Sequence, residues 1–400
     1  MDRLVRWIVM ALIAGPPAAV VARILIFGVN SLSALLTPIS GPYIAPVVGA
    51  IIAAISIRKR PILAGTGSDA YITALGTASK SAVSSPSVAF HKIVATIFTV
   101  GSGGSGGLGG PALHVGAGLH TLLNPVSQLL GSVDPRDERT TRIVGAAAVL
   151  GAVTKTPLAA GILAVEILHR SRIEYREVPP AILGGASGAA FFHWLGGKTT
   201  TLSTNSPDFA SRTILATVIA ALVAGGVGFL LTRILNGMYR LRRGFAPRSV
   251  TVVAGAAVTG LLAMLVGTEI LGWGVAQSLT SHIGAQPMGL RGFGLLVGKV
   301  LGTAATVGTG GSGGVIGPAL VMGTFTGNGV AAILGACVTS TSVTAMAAAL
   351  AAISNVPVAA AVMMVELFGG AVAPYAFIGS AIGFQIARSG VAYFSLSEDD

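Results

Sequence analysis

The groups best suited to chemistry in this sequence are backbone amides. Residues 103–111 read GGSGGLGGP and residues 310–318 read GGSGGVIGP, and each segment runs on into an apolar stretch. Proline suits the first turn of a helix, where its missing N–H costs nothing, so Pro111 and Pro318 predict helix starts. The glycines before them let the chain bend and let a ligand come close to the peptide groups. The unpaired N–H groups and the dipole at such a helix start attract an anion. A third segment, Gly65-Thr66-Gly67-Ser68-Asp69, adds hydroxyls that can donate. Its competing reading is simple N-capping by Ser68 or Asp69. None of the three contains Lys or Arg. Binding would therefore rest on amides and hydroxyls, which suits an ion that must enter and leave quickly.

Magnitudes set how many such termini are needed. A bare ion in a low-dielectric medium costs tens of kcal/mol. One helix terminus returns about 0.3–1 kcal/mol, and up to ~2 when partly buried. A single glycine-rich loop cannot hold an anion inside a membrane, whereas several converging termini together with residual water and a basic external field can.

The elements that must position these segments are membrane helices. The chain has 400 residues, of which 52% are hydrophobic and 10% charged, whereas a soluble domain carries about 25% charged residues. Its 56 glycines are interleaved with Ala, Val, Leu and Ile, a composition that lets membrane helices approach closely. The alternating strands and aromatic girdles of an outer-membrane barrel are missing from the sequence. The net charge of +11 sits in short loops rather than on one soluble face, which argues against nucleic-acid binding. Several apolar stretches, such as 88–100, 141–153, 157–168, 340–353 and 356–368, are shorter than the ~20 residues that span a bilayer. Short, broken helices of this kind predict a transport protein with a site in mid-membrane. Residues 5–30 read as a first membrane helix rather than a signal peptide. The polar connectors are short, so 1–400 reads as a single multi-pass membrane domain with no cytoplasmic regulatory domain. Arg58-Lys59-Arg60 and the basic residues of 170–176 fit cytoplasmic loops. The same rule would place the arginines of 233–248 inside as well.

An internal repeat organises the chain. GGSGGLGGPAL at 103–113 and GGSGGVIGPAL at 310–320 agree at nine of eleven positions, at an offset of 207. Pro157/Pro357 and Glu166/Glu366 recur at an offset of 200. The chain therefore reads as two related halves, roughly 1–205 and 206–400. In transporters such halves are commonly inverted, with the substrate site between them.

Other chemistries fit less well. Glu166, Glu366 and Glu269 are intramembrane carboxylates and so functional candidates by default. Yet Glu166 and Glu366 recur at the ends of short helices, which favours capping of backbone or pairing with a loop arginine such as Arg170. His114 and His120, six apart, read as packing or pore-lining groups, and no metal site or cofactor is expected. Cys337 is the single cysteine, so it forms no intrachain disulfide. Gly103-Gly104-Ser105-Gly106 matches the GxSG of an intramembrane serine protease, which needs a histidine base such as His91, His114 or His193. The pattern recurs around Ser312, near which only His282 lies in sequence, and a catalytic serine has no reason to be duplicated. No nucleotide-binding P-loop is present.

These segments resemble the CLC family of chloride channels and chloride/proton exchangers, over essentially the whole chain. The family's GSGIP is similar to Gly65-Thr66-Gly67-Ser68-Asp69, its GREGP to Gly107-Leu108-Gly109-Gly110-Pro111, and its GIFAP to Gly314-Val315-Ile316-Gly317-Pro318. TRIVGAAAVLGAVTKTPLAAGILAVEI resembles a fourth family stretch, in the same order and spacing. The resemblance implies an all-α polytopic fold of two inverted repeats of short, tilted and broken helices. It also implies a homodimer in the lipid of the cell membrane, the inner membrane if the source is Gram-negative, with one anion pathway per subunit. For 233–248 it implies an outside loop, so either the orientation rule fails locally or these arginines form a basic external mouth that concentrates anions. Anion-binding positions carried over from it are Thr66, Gly67, Leu108, Gly109, Gly110, Val315, Ile316 and Gly317.

The departures from the family pattern shape the expected function. The gating glutamate is Gly109 here, and the internal proton-transfer glutamate falls on Ile167, with Glu166 in the preceding place. The family's pore tyrosine has no clear match, since Phe368-Gly369-Gly370 occupies the corresponding stretch and Tyr375 follows the proline. Passive, channel-like transport of a monovalent anion, chloride first, is the expectation. A proton-coupled or fluoride-selective antiporter of the same family is the alternative, and an intramembrane protease is remote.

Overall fold

A computed structural model describes residues 3–76, 85–131, 135–169, 173–197, 206–242, 248–274 and 288–388. The first half contains α1 (Arg3–Ser40), α2 (Ala45–Lys59), α3 (Ser68–Gly76), α4 (Pro86–Val100), α5 (Gly109–Gly118), α6 (His120–Leu129), α7 (Pro135–Thr154), α8 (Pro157–Glu166) and α9 (Val178–Trp194). The second contains α10 (Ser211–Arg242), α11 (Arg248–Val266), α12 (Gly289–Thr303), α13 (Ile316–Leu334), α14 (Val338–Ser354), α15 (Pro357–Phe368) and α16 (Ala373–Ala387). Among the described residues there is no strand, only two isolated bridges, Gly65 with Ser312 and Gly107 with Gly314. The protein is all-α.

Among the described residues, five helical segments are long and apolar enough to cross a membrane: Leu4–Ser40, Ser211–Leu241, Arg248–Val266, Ile316–Leu334 and Gly370–Ala387. The stretch expected as a first helix over 5–30 continues to Ser40, although Pro16, Pro17 and Pro38 lie inside it. The apolar run at 111–131 is two helices, α5 and α6, which meet at Leu119. α4, α8, α14 and α15 are short and apolar, as the broken pattern predicts. Leu158, Leu215, Leu265 and Phe377 keep apolar side chains on the outer surface, a face suited to lipid.

Small residues set how closely these helices pack. A Cβ placed on Gly116 of α5 would stand 2.5 Å from the Gly145 carbonyl of α7, and one on Gly145 would stand 2.4 Å from the Gly116 carbonyl. Either substitution would force the two backbones apart, the membrane-helix use of small residues.

The repeat is inverted, and two carboxylates show why. Glu166 ends α8 and accepts from the Val358 and Ala359 amides (3.0 and 2.8 Å) at the start of α15. Glu366, near the end of α15, accepts from Leu158 and Ala159 (both 2.9 Å) at the start of α8. Each helix thus ends where its repeat mate begins, so the two mates run antiparallel. A two-fold axis along the helices would leave mates parallel, so the relating axis lies across them. Before each of these helices a non-glycine residue adopts left-handed backbone, Lys155 (φ 62°) and Asn355 (φ 57°), again 200 apart. The expected join between halves at 205/206 falls at the edge of residues outside those described.

Candidate functional site: converging helix starts

The two glycine-rich copies meet. The Gly107 N–H donates to the Gly314 carbonyl and the Gly314 N–H to the Gly107 carbonyl, both at 2.6 Å. Hydroxyls lock the crossing reciprocally. Ser105 shares a hydrogen bond with Thr303 (3.0 Å) and Ser312 with Thr96 (2.9 Å). The Ser105 amide donates to Thr306 Oγ1 (3.0 Å) and the Ser312 amide to Thr99 Oγ1 (3.3 Å). Each partner pair is related by the offset of 207, so each half holds the other half's serine. The Ser105 hydroxyl is therefore a lock between halves, and among the described residues no histidine joins it as a base.

Three helix starts converge on this crossing. α5 starts at Gly109 and α13 at Ile316, and their first turns close through Ala112 onto the Leu108 carbonyl and Ala319 onto the Val315 carbonyl. Amides ahead of those bonds have no partner within the helix. Pro111 and Pro318 occupy the third position in each, where no N–H is missed. The Gly65 carbonyl accepts from the Gly313 amide at 3.4 Å, which brings the third segment alongside. A Cβ on Gly67 would stand 2.8 Å from the Gly110 carbonyl, and one on Gly110 only 2.0 Å from the Thr66 carbonyl. Both glycines are required by the close contact between the starts of α3 and α5, and Gly67 also has φ +79°. Leu108, Gly109, Gly110, Val315, Ile316 and Gly317 are all buried.

Two expected positions differ in detail. The Thr66 hydroxyl donates to the Asp69 carboxylate (2.7 Å) and accepts from the Asp69 amide (3.4 Å). Thr66, not Ser68 or Asp69, thus supplies the side-chain cap at the start of α3, and its single proton is already committed. Gly109 has ordinary helical backbone, outside the left-handed set. A Cβ there would stand 2.8 Å from Ile316 Cδ1. Ile316 is the repeat mate of Gly109, so a side chain from the second half occupies the space beside Gly109.

Sequence reading missed two buried lysines. Lys92 on α4 donates from Nζ to the Leu63 and Gly65 carbonyls (2.8 and 3.1 Å), and Lys299 on α12 to Ile270 and Gly272 (2.9 and 3.0 Å). The lysines, and the carbonyls they hold, are again 207 apart. Lys92 lies close enough to Asp69 to couple with it electrostatically. The repeat offset was the signal that could have found them, since it pairs two lysines inside apolar helices. Tyr239 was also missed. It reaches from α10 to place its hydroxyl 3.2 Å from where a Cβ on Gly65 would stand, and no local pattern announces it. Tyr375 donates instead to the Asp208 carbonyl (2.6 Å).

Ile167 is buried at the end of α8. Beyond it, His169 Nε2 lies 3.2 Å from Glu174, whose carboxylate also pairs with Arg139. Arg139 pairs further with Glu177 (3.4 Å), and burial pushes the Glu177 carboxyl up to about 7 although Arg139 pulls it down. Glu166 and Glu366 are the reciprocal caps described above, and Arg170 lies outside the described residues. Glu269 pairs with Arg291 (2.6 Å). His120 donates from Nδ1 to the Ala117 carbonyl (3.0 Å) and His114 is buried. His282 lies outside the described residues.

Antiparallel repeat halves whose broken helices start at one buried crossing define a polytopic membrane protein built for anion transport. Residues 48–388 match the family model of the voltage gated chloride channels, and the chain belongs to that family. It is 26% identical over 294 residues to an uncharacterized protein of Methanocaldococcus jannaschii, covering 72% of this chain and 73% of that one. It is also 26% identical to a chloride/fluoride channel protein of Pseudomonas syringae, covering 70% of this chain and 62% of that protein. It is 24% identical to the H(+)/Cl(-) exchange transporter ClcA of Yersinia pestis over 59% of this chain and 50% of that protein. Among solved structures, a CLC-type fluoride/proton antiporter superposes with a TM-score of 0.79 at 21% identity, over 98% of this chain and 96% of that one. A slow cyanobacterial Cl-/H+ antiporter gives 0.78 at 18%, over 96% and 94%.

Proposed function

We propose that this chain conducts a monovalent anion passively, chloride first, past the starts of α3, α5 and α13. The observation that carries the reading is the convergence of three helix starts at the crossing of the halves, with glycine at 109 and isoleucine at 167. Three oriented termini supply the multiplicity that one terminus lacks. Neither family position for a proton-carrying carboxylate holds one, so nothing at those places couples anion passage to protons. The family resemblance supports a homodimer in the cell membrane with one pathway in each subunit.

The test is reconstitution into liposomes with an imposed chloride gradient. Electrogenic chloride flux should appear, and a pH gradient should not drive chloride uphill. Chloride accumulation stoichiometrically coupled to proton movement would overturn the channel reading. That outcome is the second reading, exchange. It draws support from His169 and Glu174, which place titratable groups two and seven residues beyond Ile167. Flux of fluoride with none of chloride would replace chloride as the cargo and leave the pathway in place.

A further inference from the structure

We infer that the side-chain hydroxyl that meets the anion is Ser68, two residues beyond the position at which the family resemblance places it. The inference rests on the proposed anion pathway and adds to it the group that strips the ion's hydration shell. Two hydroxyls stand at the start of α3. The Thr66 proton goes to Asp69 at 2.7 Å, and its oxygen accepts from the Asp69 amide. To donate to an anion, Thr66 would have to abandon a carboxylate.

Ser68 has no such commitment. It is 1% exposed, and its Oγ has no hydrogen-bond partner. Some buried hydroxyls here donate to the carbonyl one turn back, as Thr344 does to Ser340 (2.7 Å), while those of Ser127, Ser187, Thr339 and Ser342 share with Ser68 the lack of a partner but lie away from the converging helix starts. Ser68 is the first residue of α3, so no helical turn precedes it and that outlet does not exist. Leaving a buried hydroxyl without a partner is costly, and a permanent vacancy of this kind needs an explanation.

The direction of the hydroxyl supplies one. Ser68 Oγ lies 3.1 Å from the position of a Cβ on Gly110, against the first turn of α5. An unpartnered donor thus sits between two helix starts, each of which favours a negative charge. Asp69, the next residue in the chain, couples electrostatically with Lys92. The repeat places Val275 opposite Ser68 at the offset of 207, so this hydroxyl belongs to one half only.

The experiment uses the full chain, with chloride binding measured by calorimetry in detergent and flux measured in liposomes. Ser68→Ala should weaken chloride binding on the order of tenfold, the effect of one hydrogen bond to a charged group, with the midpoint of thermal unfolding unchanged. Ser68→Cys keeps a weak donor and should fall between. The loss should be greatest for fluoride and chloride and least for thiocyanate, because small anions give up more hydration on entry. A purely structural serine would not produce that size order. Thr66→Val should lower thermal stability while chloride affinity falls less than in Ser68→Ala. Wild-type affinity and flux in Ser68→Ala would mean the hydroxyl meets only water and would overturn the assignment, as would loss of affinity in Thr66→Val alone. Wild-type protein with neither binding nor flux would overturn the pathway itself.

Discussion

The two halves of this molecule agree where they hold one another and differ where an anion would pass. At the offset of 207, Lys92 matches Lys299, Thr96 matches Thr303, Thr99 matches Thr306 and Ser105 matches Ser312. Every one of these residues either makes a bond across to the other half or pins a connecting loop inside its own half. Beside them the repeat breaks down. Gly65-Thr66-Gly67-Ser68 stands against Gly272-Trp273-Gly274-Val275, and Gly109 against Ile316. A reciprocal lock needs both copies, because each half supplies the partner of the other. A pathway needs only one set of donors, and a two-fold axis brings Gly109 and its mate Ile316 into the same space. Two bulky groups cannot share it, so glycine on one side is the condition for isoleucine on the other.

The largest effect should come from the lysines, and it should split the two halves. Replacing Lys92 or Lys299 by Met leaves the buried Leu63 or Ile270 carbonyl without a donor, at about 1–3 kcal/mol, and leaves the Gly65 or Gly272 carbonyl with only a backbone amide at 3.4 Å. Both variants should unfold at lower temperature in detergent by similar amounts. Lys92→Met should also weaken chloride binding by roughly tenfold, the effect of one charge at about 10 Å in an effective dielectric near 20. Lys299→Met, whose loop carries Trp273, should bind chloride as the wild type does once folded. Equal binding losses in the two would erase the proposed division between lock and pathway.

Next comes the Gly109–Ile316 contact. Gly109→Ala places a Cβ 2.8 Å from Ile316 Cδ1 and should lower chloride flux several-fold, an overpacking cost of about 1–3 kcal/mol. Ile316→Ala in the same chain should restore it. In that relieved background Gly109→Glu should close the path near neutral pH, where a carboxylate of pKa ~4.3 is ionised, and acidification should reopen it. Gly109→Gln should show no pH response. Matching, pH-independent losses in the Glu and Gln variants would show that position 109 cannot gate.

The reciprocal caps should cost less. A glutamine at 166 or 366 can accept at only one of its two terminal atoms, so one amide loses its partner, at about 1–2 kcal/mol. Glu166→Gln should lower the unfolding midpoint more than Glu366→Gln, since Glu166 is buried and Glu366 only half-buried. The reverse order would count against the caps as the source of the stability.

A separate effect, away from the crossing, is a pH dependence at Glu177. Burial raises its carboxyl to about 7, so the folded protein holds a proton there that the unfolded chain has released. Its contribution to stability is therefore present below the unfolded value near 4.5 and fades as pH rises through 7. Glu177→Gln mimics the protonated form. The difference in unfolding midpoint between variant and wild type should move in the variant's favour from pH 5 to pH 8. A constant difference would mean that Arg139 holds Glu177 ionised throughout.

Composition and spacing alone determined that this chain is a polytopic helical membrane protein in two halves, because burying a backbone in lipid leaves few structures and a repeated GGSGG–GPAL leaves few coincidences. They also located the helix starts at Pro111 and Pro318, since proline and glycine act on the chain within a turn of where they stand. Reciprocal capping by Glu166 and Glu366 was half legible, as a recurrence whose partners lay 192 to 208 residues away. Tertiary structure alone decided the rest. Only the fold sets Thr303 against Ser105, brings Tyr239 to Gly65, and seats Ile316 in the space beside Gly109. The choice between Thr66 and Ser68 was likewise invisible in the string, because a hydroxyl's role depends on where its one proton points. Asp69 one turn on holds the Thr66 proton, and the fold sets Ser68 against α5 some forty residues away, neither of which a local pattern records.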